Sequence, residues 1–191
     1  MTANLGTPLD SSNDPLFQST SRSDLLTLGR TSMFVPLRES TDLNLGVSYA
    51  NAAANPALRS EGNRAQVGVA DVTLRWKNPR RSIYRSLVAQ VETMDERGSA
   101  AGAKDRFGWF GYALWQFARQ WKLGARYDWT ELPDSPSHQS GVLALVQYQP
   151  SEFSTLSVQA RRVRDSADSL DRDSAYFKWT FNIGPHGAHP Y

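Results

Sequence analysis

The histidines His138, His186 and His189 are the side chains of this sequence best suited to chemistry. His186 and His189 have the H-x-x-H spacing, and their two imidazoles could bind zinc if two further donors joined them. Gly187 and the prolines on either side of the pair disfavour the helix that would bring the rings together. No third ligand lies nearby in the sequence, so zinc is the one cofactor that the sequence leaves open.

His138 lies in a different setting, the serine-rich segment SPSHQS with Ser137 and Ser140 close by. Serine and histidine form the catalytic pair of many hydrolases, provided that a third group orients the base. A loop offers no such support, which favours a solvated histidine. The chain has no cysteine, which excludes disulfides, thiolate metal sites and cysteine nucleophiles. We therefore predict that the protein is not an enzyme, with no catalytic residue, and keep an outer-membrane lipid hydrolase as an alternative.

The elements that must carry these residues are β-strands, because apolar and polar residues alternate along the chain. The alternation is clearest at 42–50 (DLNLGVSYA), 121–131 (WKLGARYDWTE) and 174–183 (SAYFKWTFNI), where no helical wheel separates the two sets. Further strands are predicted, with less regular alternation, at 65–76, 82–94, 107–117, 140–149 and 153–164, and the weakest candidate is 24–35. Nine strands therefore fill residues 24–183, between an irregular N-terminal segment 1–23 and a C-terminal tail 184–191.

The connections between these strands alternate in length. The short ones are 36–41, 77–81, 118–120 and 150–152, and the long ones are 51–64, 95–106, 132–139 and 165–173. This asymmetry, together with strands of 9 to 13 residues, is typical of outer-membrane barrels with short periplasmic turns and long outer loops. We predict an all-β fold, an antiparallel up-and-down transmembrane β-barrel. The lack of any run of 18 apolar residues excludes a membrane-spanning helix.

Charge and aromatic residues narrow the class of protein further. The net charge of +2 comes from 21 basic and 19 acidic residues that are mixed along the chain, which excludes a nucleic-acid partner. Large rings on one strand face, several of them near strand ends, favour an apolar face in contact with lipid. The predicted membrane-facing aromatics are Trp109, Trp115, Phe117, Trp121, Tyr127, Trp129, Phe177, Trp179 and Phe181. A soluble, lipocalin-like ligand-binding barrel that buries these rings remains an alternative.

The opposite strand faces are polar and would line a lumen. The predicted lumen-lining residues are Asp71, Arg75, Glu92, Lys122, Arg126, Asp128, Arg161 and Lys178. Five of the eight are positive, which predicts a mild preference for anions if the lumen conducts. An interior plugged by its own ion pairs is the competing interpretation.

Four segments carry a resemblance to a known family: residues 69–92 (VADVTLRWKNPRRSIYRSLVAQVE), 111–134 (GYALWQFARQWKLGARYDWTELPD), 148–163 (YQPSEFSTLSVQARRV) and 179–191 (WTFNIGPHGAHPY). They resemble the C-terminal region of a family of Gram-negative outer-membrane β-barrel proteins, over roughly residues 24–191. Some members are labelled zinc-regulated TonB-dependent outer-membrane receptors, and others hypothetical outer-membrane proteins. Residues 1–23 match neither a signal peptide nor the plug that such a receptor needs.

The resemblance implies a longer parent with strands upstream. We therefore expect a partial barrel of eight or nine strands; in the alternative, residues 24–35 stay out of the sheet and the other eight strands close alone. The expected location is the outer membrane, and the expected function is a channel or receptor-like protein for an unknown small solute. The expected partners are outer-membrane lipids and the outer-membrane assembly machinery, which would recognise the terminal aromatic Tyr191.

Overall fold

The chain folds into nine antiparallel β-strands and nothing else in the part that the computed structural model describes, residues 26–53, 64–80, 84–97, 105–132, 136–167 and 171–182. The strands are β1 (Thr27–Arg38), β2 (Thr41–Ala53), β3 (Arg64–Lys77), β4 (Ser86–Arg97), β5 (Arg106–Ala118), β6 (Trp121–Glu131), β7 (His138–Ser151), β8 (Ser154–Asp165) and β9 (Arg172–Phe181). The predicted all-β fold is confirmed. Over these ranges no helix has the length and apolar character needed to cross a membrane.

All nine strands lie in one up-and-down sheet in the order β1 to β9, so that each strand pairs with its neighbours in sequence. The weakest predicted strand, 24–35, is present as β1 and pairs with β2 from Thr27 to Arg38. The alternative in which this segment stays out of the sheet is therefore wrong. Within the described residues β1 and β9 make no contact with each other, and each offers one unpaired edge.

Short and long connections lie at opposite ends of the sheet, as the sequence predicts. Residues 39–40, 119–120 and 152–153 form two-residue turns at one end, which we call the short-turn end. The ladder shifts register beside each of these turns, between Pro36 and Arg38, between Gln116 and Ala118, and between Tyr148 and Ser151. Such bulges add twist, which helps a long sheet to curl.

The connection between β3 and β4 is longer than predicted, because β4 begins at Ser86 rather than at residue 82. Lys77 pairs with Ser86 as the last step of the ladder, and the backbone N–H of Asn78 donates to the Arg85 carbonyl at 3.0 Å. The N–H of Arg80 donates to the Asn78 side chain and tightens the turn. The ladder therefore ends where this turn closes, although the alternation in the sequence begins earlier.

Burial is confined to one face of the sheet. The least exposed side chains are Ala52, Ala65, Val67, Asp71, Thr73 and Ser157. The strand register places all of them on the same side, together with an apolar row formed by Val88, Leu114, Gly124 and Leu145. The opposite side is exposed, so the sheet is most crowded on the side that carries Asp71.

Gly124 lies in the apolar row on the crowded side, where an added Cβ would lie 3.2 Å from Leu114 Cδ1 and 3.3 Å from Leu145 Cδ2. We expect Gly124→Val to lower the free energy of unfolding by about 1–3 kcal/mol through overpacking. The control is Gly29→Val, because nothing lies within 4 Å of a Cβ at Gly29. Equilibrium urea unfolding followed by tryptophan fluorescence measures both, and equal stability of the two variants would contradict the packing that we describe.

Candidate functional site

The register divides the sheet into two faces of opposite chemistry. We call the face that carries Asp71 the polar face and the face that carries Ala125 the apolar face. All eight predicted lumen-lining residues lie on the polar face: Asp71, Arg75, Glu92, Lys122, Arg126, Asp128, Arg161 and Lys178. All nine predicted membrane-facing aromatics lie on the apolar face. That the first face lines a lumen and the second meets lipid stays a prediction.

The apolar face presents large rings directly to its surroundings. Trp115 is 48% exposed, Trp179 65% and Phe177 69%. Neighbouring rings contact one another, with centroids 5.2 Å apart for Trp109 and Tyr127. Water-soluble monomers rarely expose continuous apolar surface of this kind, and where they do it marks an interface with protein or membrane.

A row of alanines crosses the apolar face and gives a reference line from which positions along each strand can be counted. The row contains Ala89, Ala113, Ala125, Ala144, Ala160 and Ala175, which pair in register on six successive strands. Counted from this row towards the long loops, the first charged residue that lies on the apolar face is six positions away on β4 (Asp95) and on β6 (Glu131). It is only two positions away on β8 (Arg162) and β9 (Asp173). The apolar band therefore runs obliquely to the register rows.

The polar face is held together by an ion pair that crosses a whole strand. Arg30 on β1 donates from Nη2 to Asp71 Oδ1 on β3 at 2.6 Å, and from Nη1 to the Ser48 hydroxyl at 2.8 Å. Gly46 on β2 lies between them, and an added Cβ there would come within 2.5 Å of Arg30 Nη2. The missing side chain is what lets the charges meet, and Asp71 is left only 7% exposed.

A second polar cluster occupies the centre of the same face. Glu92 lies opposite Asp71 in the register, and the Gln90 amide donates to it at 3.4 Å. The guanidinium of Arg126 lies 4.2 Å from the centre of the Phe110 ring and donates from Nε to Asp128 Oδ1 at 2.7 Å. Stacking on a ring leaves the edge of a guanidinium open to further acceptors.

Tyr112 extends this cluster, since its hydroxyl donates to Gln90 Oε1 at 3.1 Å. Arg161 approaches from β8, because the Arg161 Nη2 atom and the Asp128 Oδ2 atom both lie within 4 Å of a Cβ built on Gly141. Of the predicted residues, the structure thus brings Glu92, Arg126, Asp128 and Arg161 into one cluster. Arginine, carboxylate, amide and phenol groups in one cluster can bind a hydrated polar solute.

Several residues of the polar face were missed by the sequence analysis. Asp42 accepts a hydrogen bond from Arg75 at 3.5 Å, and its position two residues before Asn44 in a clear alternation could have revealed it. Arg30 lies in the weakest predicted strand, where the alternation assigned no face. Arg106 lies 4.0 Å from Glu96, and both fall in a segment predicted to be a loop.

Of the three histidines, only His138 lies in the described part of the chain. His138 begins β7, and its ring stacks on Trp129 at 5.6 Å between centroids. No group of three or more histidine, aspartate or glutamate side chains comes together within those residues. His186, His189 and Tyr191, like the whole segments 1–23 and 184–191, lie outside the described residues, so the predictions for them stay predictions.

Beyond the oblique limit of the apolar band lies an ionic cluster between β8 and β9. Arg162 donates to both oxygens of Asp173 at 2.7 Å, and Arg164 to both oxygens of Asp171 at 2.9 Å. Arg162 Nε also lies 3.9 Å from Asp171. Paired charges of this kind are stable at a water-facing surface, and the long-loop end of β8 and β9 is therefore suited to contact with water.

No match to the chain is found among protein-family models, curated proteins or solved structures. The resemblance that the sequence shows to a family of outer-membrane barrels therefore stays a prediction.

The hydrogen bond from Arg164 holds the pKa of Asp171 below its ordinary value of 3.8, and the positive charges of Arg164 and Arg162 lower it further. The stabilisation that the pair supplies is therefore present above pH 3.8 and is lost as the pH falls through the lowered pKa. In an NMR titration we expect Arg164→Gln to return the pKa of the Asp171 carboxyl towards 3.8. The matched variant Arg162→Gln should change it less, and an unchanged midpoint in Arg164→Gln would contradict the pairing.

Proposed function

We propose that this chain forms part of the wall of a Gram-negative outer-membrane β-barrel. Its polar face would line a lumen for a small polar solute. One observation carries the proposal: the large apolar side chains are exposed on one face while charged side chains are crowded on the other. A water-soluble sheet has the reverse arrangement, because burial of apolar surface drives its folding. In a bilayer the solvent outside the wall is hydrocarbon, and the arrangement becomes favourable.

The oblique apolar band supports a transmembrane orientation. The first charged residue of the apolar face lies six positions from the alanine row on β4 and two positions from it on β9. The limit of the band therefore shifts by four residues over five strand steps. At about 3.4 Å per residue and about 4.8 Å per strand, this drift corresponds to strands tilted by about 30° from the normal of the band. Strands of transmembrane barrels tilt by about 35–45°, so a level bilayer would require a band of this kind.

Ring placement supports the same orientation. Trp76, Phe117 and Trp121 lie at the short-turn end of their strands, and Trp129 lies towards the long loops. Aromatic girdles occupy both membrane interfaces in barrels, because an amphipathic ring is stable between headgroups and hydrocarbon. The outer-membrane lipids would therefore meet the apolar face between these two levels.

The polar face supplies the solute path in this proposal and requires no catalytic group. Its ion pairs, Arg30 with Asp71 and Arg75 with Asp42, join different strands and stiffen the wall. The guanidinium of Arg126 and the carboxylate of Glu92 lie in the central cluster without being fully buried. A hydrated solute could exchange water for these groups one at a time. The proposed activity is passage or binding of such a solute, without chemical change.

Contact between Trp115 and lipid is the most direct test of the proposal. In a variant that keeps Trp115 and has the other five tryptophans replaced by phenylalanine, we expect brominated acyl chains to quench the fluorescence strongly, since Trp115 would lie in the hydrocarbon. The protein is reconstituted in phosphatidylcholine vesicles with and without bromine on the acyl chains.

The matched control has all six tryptophans replaced by phenylalanine and carries Gln147→Trp on the polar face. We expect several-fold weaker quenching by brominated lipid at this position. Equal quenching at the two positions would contradict the assignment of the apolar face to lipid and of the polar face to the lumen. A protein that stays monomeric in buffer without detergent, with Trp115 shielded from water, would instead support the soluble ligand-binding barrel.

A further inference from the structure

We propose that a row of lysines at the short-turn end of the polar face binds anions and selects phosphate- or carboxylate-bearing solutes. The inference rests on the proposed function and names the class of its solute. The row contains Lys77 on β3, Lys122 on β6 and Lys178 on β9. The register connects the three directly, without a slip, through one polar residue on each strand between them: Ser86, Gln116, Gln147 and Ser157.

The composition of this row differs from that of the rest of the polar face. Elsewhere on this face Arg30 is paired with Asp71, Arg75 with Asp42, and Arg126 with Asp128. The row itself contains three lysines, two serines, two glutamines and no carboxylate. A solute that enters it meets positive charge and neutral hydrogen-bonding groups alone.

The lysines of the row also lack ion pairs of the kind that neutralise Arg30, Arg75 and Arg126. Over the described residues, no carboxylate lies within 4.0 Å of the ammonium groups of Lys77, Lys122 or Lys178. Asp42, on the same face of β2, already accepts from Arg75. An ammonium group is a compact charge with three donors, and one with no carboxylate partner among the described residues can bind an anion from solution.

The spacing decides what kind of site the row can be. Consecutive lysines are three strands apart, about 14 Å between backbones at about 4.8 Å per strand. Charges that far apart do not converge on one small ion. They form a positive arc around the wall, which raises the local concentration of anions and disfavours cations, as lysine and arginine rings do in anion-selective pores.

The row lies near the end of the lumen that carries the two-residue turns. On the same face and one register row away lies the apolar row of Val88, Leu114, Gly124 and Leu145. An apolar layer beside the lysines lowers the polarisability of the wall, so that their field is less screened than on an open surface. Beside these two rows an anion is more stable than a cation.

The test uses iodide as the probe and a tryptophan in the row as the reporter. In the variant with all native tryptophans replaced and Gln147→Trp, Stern–Volmer quenching by iodide is measured against quenching by neutral acrylamide in phosphatidylcholine vesicles at low salt. We expect Lys122→Gln with Lys178→Gln to lower the ratio of iodide to acrylamide quenching by about threefold, as two nearby unit charges would. Added phosphate should compete with iodide in the parent and not in the double variant.

The control is Arg85→Gln, which neutralises an exposed cation directly before β4, and it should leave the ratio unchanged. A ratio that does not respond to the two lysines, or that falls equally with Arg85→Gln, would overturn the proposal. Zwitterionic vesicles contain no anionic headgroup, so a positive result identifies a soluble anion as the ligand. The single variants Lys122→Gln and Lys178→Gln should each give part of the effect, which guards against misfolding of the pair.

Failure here is distinguishable from failure of the proposed function. Quenching of Trp115 by brominated lipid reports membrane insertion alone, and it does not depend on the lysines. Where the protein conducts in planar bilayers, the reversal potential in a potassium chloride gradient should lie towards the equilibrium potential of chloride. Lys122→Glu with Lys178→Glu should move that potential towards potassium, and an unmoved potential would count against the lysine row.

Discussion

The unbroken antiparallel register across eight strand pairs is the constraint on which the rest of this structure depends. Side chains alternate between faces with a period of two, so a slip of one residue in any pair would carry every later strand onto the wrong face. The ladder shifts only beside the two-residue turns, where its ends can absorb it. From β2 to β8 the central rows stay aligned, and this alignment gathers charges on one face and rings on the other.

The separation of the faces has a local cost that small residues remove. Charged side chains from different strands must meet over the backbone of the strand between them. At Gly46 the absence of a side chain opens that space for Arg30 and Asp71. On the apolar face the alanines form a row of small side chains, and larger apolar side chains such as Trp115 and Leu123 occupy the adjacent row on the short-turn side.

The sequence predicted those features that depend on alternation alone. The segment 121–131 is β6 to the residue, and all eight polar and nine aromatic positions fall on the faces that their parity indicates. Strand ends were less predictable, because side-chain alternation does not reveal where a hydrogen bond such as that from Asn78 to Arg85 closes a turn. The ion pair between Arg30 and Asp71 could not be predicted, because it requires the register of three strands and the space over Gly46. The lysine row needs the same register, through six strand pairs.

The order of the strands also has a consequence for how the protein can form and fail. Among the described strands each contacts only its neighbours in sequence, so this part of the sheet is a linear array of hairpins in which pairing spreads from one to the next. A defect at β5 interrupts two of its eight interfaces and divides the array into two parts. Sequence changes that reach the central strands should therefore be the least tolerated, even where the side chain itself faces outward.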